Sequence, residues 1–150
     1  MKVELKSLKV HKDMSEETTC FSATIYIDGI KAGDARNSGH GGMTMVHIFD
    51  PDLRKKLAAF VDTLPTEKSQ YFPEGLKLEV DSYIDTLVEQ AEELKWLKRN
   101  CKGKTMFRTS DQKSGEWFTI KSPFSPAVKD HLVKKYGDKL VEIANEKLTS

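Results

Sequence analysis

The chain lacks any apolar run approaching the roughly 20 residues that a helix needs to span a bilayer. It also lacks the basic, apolar and small-residue succession of a secretory leader. Met1-Lys2-Val3-Glu4-Leu5-Lys6 alternates charge with apolar residues and reads as a first strand. Only two cysteines are present, Cys20 and Cys101, too few for a disulfide framework, so a reducing, cytoplasmic setting is expected. Net charge is almost absent, +1 at neutral pH, and local clusters must decide whether nucleic acid is a partner. No internal repeat, low-complexity tract or long linker interrupts the 150 residues, so a single domain over 1–150 is expected.

Catalytic signatures are missing as well. Ser38-Gly39-His40-Gly41-Gly42 has no following Lys-Ser/Thr, which excludes a P-loop. A strand pattern rather than a helix follows it, which excludes a dinucleotide fingerprint. No glycine-framed serine forms a nucleophile elbow. Cys20 falls within a strand pattern, and Cys101 falls at a helix C-terminus, where the dipole raises a thiol pKa. Both cysteines read as structural. No catalytic residue, cofactor or metal ligand is assigned, and the reading leans away from an enzyme.

What is present is an ordinary globular balance, 38% hydrophobic and 31% charged residues, arranged in both strand and helix periods. Val3, Leu5, Leu8 and Val10 change parity, which predicts a bulge near Ser7. From Thr18 to Asp28, Phe21, Ala23, Ile25 and Ile27 share one face. Asp28-Gly29 predicts a type I′ hairpin turn pairing Ile27 with Ile30 and Ile25 with Ala32, with Gly33 bulging so that Ala35 faces inward. Met43 to Phe49 is apolar on both parities except at Thr44 and His47, the pattern of a central strand covered on both sides.

Asp50-Pro51-Asp52 then opens a helix of about 13 residues carrying Leu53, Leu57, Phe60, Val61 and Leu64 on one stripe, stopped by Pro65. Thr66 to Gly75 reads as a connector with Tyr71 and Phe72 tucked in, and Leu76, Leu78 and Val80 as a short strand. Asp81 is placed as the cap of a helix reaching about Cys101 and stopped by Gly103. Thr105–Ser110 and Glu116–Lys121 form a second hairpin around 111–115. Ser125-Pro126 opens a last helical stretch that Gly137 and Asp138 split in two, with Leu140, Ile143 and Ala144 on its apolar face. The fold class is α+β: about four N-terminal antiparallel strands and a C-terminal hairpin packed against three or four helices.

Four of the nine glycines lie between positions 33 and 42, and two of the four histidines lie in or just beyond that loop. Glycines allow successive amides to point into one concavity, which suits an anion. The candidate ligand-binding set is therefore Lys31, Arg36, Asn37, Ser38, Gly39, His40, Gly41, Gly42 and His47. The blander reading of the same loop is a connector that needs glycine only for its backbone angles. A metal-assisted phosphoesterase using His40, His47 and Asp50, with His11 as a further ligand, is the alternative; its spacing matches no metal motif, and Asp50 has a capping role already.

Between 95 and 108 stand six basic residues, Lys95, Lys98, Arg99, Lys102, Lys104 and Arg108, without an acid and with Trp96 and Phe107 interleaved. Phosphate with stacked bases would suit such a surface. The preceding acids Glu79, Asp81, Asp85, Glu89, Glu92 and Glu93 give the rival explanation, a long helix complementing its own dipole.

Glu16-Glu17-Thr18, Cys20-Phe21, Ala23 to Gly29, Ala32-Gly33, Arg36-Asn37 and Gly39-His40-Gly41-Gly42 together resemble small proteins carried by phages and prophages. The resemblance covers roughly residues 3–50. It implies an accessory factor of the bacterial host's cytoplasm that neutralises a host component, and it carries over no catalytic residues. The expectation is a non-enzymatic counter-defence protein that sequesters a phosphorylated, nucleotide-like molecule or blocks a host protein through loop 37–43. Nucleic acid is the less favoured partner, a membrane is not expected, and assembly with further copies of the chain is left open.

Overall fold

The computed structural model describes residues 1–65, 73, 75, 77–112 and 116–148. The chain divides into two compact units, residues 1–90 and 91–150. No helix among the described residues is long and apolar enough to cross a membrane. Tyr71, Phe72 and Leu76, and residues 113–115 of the second hairpin loop, lie outside the described residues.

The first unit is a four-stranded antiparallel sheet, β1 Val3–Val10, β2 Phe21–Ile27, β3 Ile30–Asn37 and β4 Met45–Ile48, in the order β1-β2-β3-β4. The register shifts between Lys6 and Lys9, where Ser7 takes φ 54°, so the expected bulge is present. Asp28 and Gly29 both have positive φ, 51° and 82°, as the primed hairpin turn demands. Ile27 pairs with Ile30 as expected, but Ile25 pairs with Gly33 rather than Ala32, because the extra residue enters one position earlier. Ala35 accordingly faces the core. A Cβ on Gly33 would stand 2.0 Å from the His47 carbonyl oxygen, so this position is empty of side chain because β4 approaches it so closely.

One sheet face is covered by α1 (Pro51–Asp62) and the first half of α2 (Val80–Asn100). Asp50 caps α1, its Oδ1 accepting from the Asp52 amide at 2.9 Å. The α1 stripe delivers Leu57 and Val61 to a core shared with Phe21, Ile25, Ile48, Ile84 and Val88. Two expectations are corrected here. β4 is an edge strand, not a central one: Val46 and Ile48 turn to the core, whereas Met45 and His47 stand on the open face. Apolar methionine on that face imitates double coverage. Leu78 and Val80 form no strand; Val80 opens α2 one residue before the expected cap, and Asp81 sits in the first turn. Cys20 is buried just ahead of β2 rather than inside it.

The second unit holds a three-stranded antiparallel sheet, β5 Thr105–Thr109, β6 Phe118–Ile120 and β7 Leu140–Ile143, in the order β6-β5-β7. Ser125 caps α3 (Pro126–Tyr136) through the Val128 amide, and Gly137 ends it with φ 53°. The predicted second half of that helical stretch is instead a 3-10 turn at Gly137–Lys139, strand β7 and the short α4 (Ala144–Lys147). Leu140 and Ile143 fall at helical spacing, yet Ile143 pairs with Phe107 and packs with Leu132, so a long-range partner overrides the local period. Buried Asn145 extends the ladder: its Oδ1 accepts from the Met106 amide and its Nδ2 donates to the Lys104 carbonyl. Burial pushes the Cys101 thiol pKa up, against a smaller lowering from its bond with Met106. That keeps the thiol protonated and unreactive.

Candidate functional site

The glycine loop joins β3 to β4, and Asn37 organises it. Asn37 sits on the core parity of β3 and is buried. Its Oδ1 accepts from the Gly39 amide and the Thr18 hydroxyl, both at 2.8 Å. Its Nδ2 donates to the Gly42 carbonyl and to Thr44 Oγ1, both at 3.1 Å. Both donors and both acceptor positions of the amide are thus used. Thr18 Oγ1 also accepts from the Gly41 amide at 3.3 Å. The Gly39 carbonyl takes the amides of Glu16 and Glu17. The Thr44 hydroxyl donates to Asp85, linking the loop to α2.

The glycines answer to this packing. Gly39 has φ 84°, and a Cβ there would lie 2.4 Å from the Met14 carbonyl oxygen. Gly41 has φ 89° and would meet the Glu17 carboxylate. The loop is braced against the 11–20 connection, with the amides of Gly39 and Gly41 spent on its own chain.

The cations of the candidate set do not gather around it. Lys31, Arg36 and His47 are on the open sheet face, at registers opposite Tyr26, Ser22 and Asp34 respectively. Lys31 and Arg36 are five residues apart along β3, roughly 16 Å at strand rise. His40 Nδ1 lies 3.0 Å from Glu16 Oε2, and His47 Nδ1 lies 4.0 Å from Asp34 Oδ2. Ser38 and Gly42 are exposed. Asp50 is occupied as the α1 cap, and no three His, Cys, Asp or Glu side chains among the described residues converge as a metal site.

A hollow of about 460 Å³ adjoins the loop, and its lining includes Glu16, Glu17, Asp85 and Glu89 but no lysine or arginine. Burial raises the pKa of Asp85; the Thr44 hydrogen bond opposes this, and Asp81 adds to it. An acidic hollow beside the bonded Gly39 and Gly41 amides disfavours a phosphate there.

The basic stretch keeps five of its six members available. Lys95, Lys98, Arg99, Lys102 and Lys104 are exposed and form no ion pair among the described residues, and Trp96 is 42% exposed beside them. Arg108 differs, because it pairs with Glu142 and lies 4.6 Å over the Trp117 ring.

A larger cleft, about 670 Å³, runs along β4 and was not anticipated. Val46, Ile48 and Val61 contribute apolar lining, α1 supplies Arg54, Ala58 and Asp62 at four-residue spacing, and residues 77–81 form a further wall. Lys77 holds Asp62 at 3.4 Å, whereas Arg54 has no acidic partner among the described residues. At and beside the cleft stand Met43, Met45 and Phe49, 71%, 63% and 52% exposed. The signal available in the sequence was the same Met43–Phe49 pattern, apolar on both parities, which also describes an edge strand bearing a sticky outer face.

No protein-family model, curated protein or solved structure matches this chain.

Proposed function

We propose that the chain is a non-enzymatic binding protein that engages a protein partner along β4, with loop 37–43 as the brace that sets β4 in place. The observation carrying this reading is an edge strand whose exposed methionines and Phe49 adjoin an apolar cleft. Large apolar side chains left exposed beside such a cleft are a mark of an interaction surface. In the phage-accessory setting suggested by residues 3–50, the partner is a host component whose action is blocked by occupancy. A phosphorylated small molecule fits less well, since the Gly39 and Gly41 amides are bonded and the adjoining hollow is acidic.

A photo-crosslinking residue placed at Met45 tests the reading in bacterial cells, with the same residue at exposed Val133 as control. A discrete protein adduct at position 45 and none at 133 is expected. No adduct at 45, or the same adducts at both positions, would contradict it.

A second reading rests on a separate observation: five cations without acidic partners among the described residues stand near the exposed Trp96. Lys95, Lys98 and Arg99 occupy one arc of α2, opposite buried Leu97, and Lys102 and Lys104 follow its end. On that reading single-stranded nucleic acid binds there and loses affinity steeply as salt rises. Trp96 fluorescence that does not respond to oligonucleotide at low salt would sink it.

A further inference from the structure

We infer that the cleft beside β4 receives an extended peptide, which joins the sheet as an added strand and places a carboxylate against Arg54. This deepens the protein-binding reading above and rests on it. The first argument is the direction of backbone groups. The Phe49 amide donates to the Ala32 carbonyl at 2.9 Å. Alternation along an antiparallel ladder then turns the backbone groups of Met45 and His47 toward β3, and those of Val46 and Ile48 away from it. Among the described residues no further strand lies beyond β4, and the amides of Val46 and Ile48 take no acceptor.

The second argument is the contrast between the two edges. β1 carries a bulge at Ser7 and the lysines Lys6 and Lys9, devices that discourage strand addition. β4 reads Met-Val-His-Ile, without proline, lysine or bulge. One edge of the sheet is guarded, and the other is left open among the described residues.

The third argument is the cleft itself, which lies alongside the open edge. Ala58 leaves the α1 wall shallow, so that a chain can lie between helix and strand. Apolar side chains of such a peptide, at every second position, would meet Val46, Ile48 and Val61, as in other strand additions. Charge then specifies the ligand further. Asp62 is held by Lys77, and the acids Glu79 and Asp81 stand on the 77–81 wall. Arg54 on the α1 wall has no acidic partner among the described residues and is the local cation to be answered. A second copy of this chain is the poorer occupant. β4 contains no carboxylate, and its four residues span about 13 Å, an edge too short to supply the roughly 800 Å² per partner of a stable interface.

The probe is a random dodecapeptide display library selected on the full chain, followed by synthesis of the selected peptides. Alternating apolar residues and one acidic residue are expected among them. N-methylation of one set of alternate residues should weaken binding by about 30-fold, the loss of two backbone hydrogen bonds, while methylation of the other set leaves it nearly unchanged. Arg54→Ala, at an exposed position, should lower the affinity of acid-bearing peptides by about tenfold and ignore peptides whose acid is replaced by its amide. Equal tolerance of both methylated sets, or indifference to Arg54, would overturn the proposal. So would concentration-dependent protection of the Val46 and Ile48 amides without peptide, which assigns the edge to a second copy. A library that yields no binder while the Met45 adduct persists also overturns it, and leaves a folded surface as the ligand. Failure of both removes the protein-binding reading itself.

Discussion

Asn37, singled out by its glycine-rich surroundings, carries a structural role in the loop. Its place beside a glycine cluster marked it as a ligand contact, yet its amide is consumed within the loop, bonding Gly39, Gly42, Thr18 and Thr44. Replacing it by alanine strands the buried Gly39 amide and frees the loop from its brace. The cost expected for Asn37→Ala is about 2 kcal/mol, measured from urea unfolding; a loss within error of zero would deny Asn37 that role. Asp85 makes a second residue-scale test. Its folded pKa is raised, chiefly by burial, so the fold binds its proton more tightly than the unfolded chain does. The stability this contributes is complete below the ordinary carboxylate range and is lost as pH rises through the raised value. Asp85→Asn keeps an acceptor for the Thr44 hydroxyl and removes the charge. The variant should melt above wild type at pH 7, with the gap closing toward pH 3. A gap that stays constant or widens on acidification would contradict this assignment.

At the scale of elements, local chemistry was legible wherever one short stretch settled the outcome. Asp28-Gly29, Asp50-Pro51 and Ser125-Pro126 each place their turn or helix start by dihedral preference or capping alone. The misreadings share another cause. Whether Met43–Phe49 lies at the centre or the edge of a sheet depends on what pairs beyond it. Whether 140–143 is helix or strand depends on β5, more than thirty residues earlier. Neither partner is visible in the segment itself. Gly33 binds β4 to this argument. A methyl group there meets the His47 carbonyl oxygen, so Gly33→Ala should separate β4 from β3 while leaving the β1–β2 pairing intact. Amide exchange would then accelerate at Met45 and His47 and stay slow in β2. Unchanged protection at both would show that β4 adjusts without separating.

Across the whole molecule, an α+β organisation was readable because strand and helix periods rarely overlap in this chain, and because its turns are marked by glycine, proline and capping residues. The binding edge was not readable in the same way. It arises from sheet order, from an α1 wall whose Arg54, Ala58 and Asp62 look unremarkable in sequence, and from the absence of guarding residues on one edge only. The loop attracted notice because its composition is unusual, whereas the open edge is made of ordinary residues in an uncovered place. The central claim is that Asn37, Gly39 and Gly41 brace the loop within its own chain while β4 keeps a side open among the described residues. Residue-resolved amide hydrogen exchange of the free protein tests it most directly. Gly39, Met45, His47 and Phe49 should exchange slowly and Val46 and Ile48 rapidly; Val46 and Ile48 protected as strongly as their neighbours, with Gly39 unprotected, would contradict it.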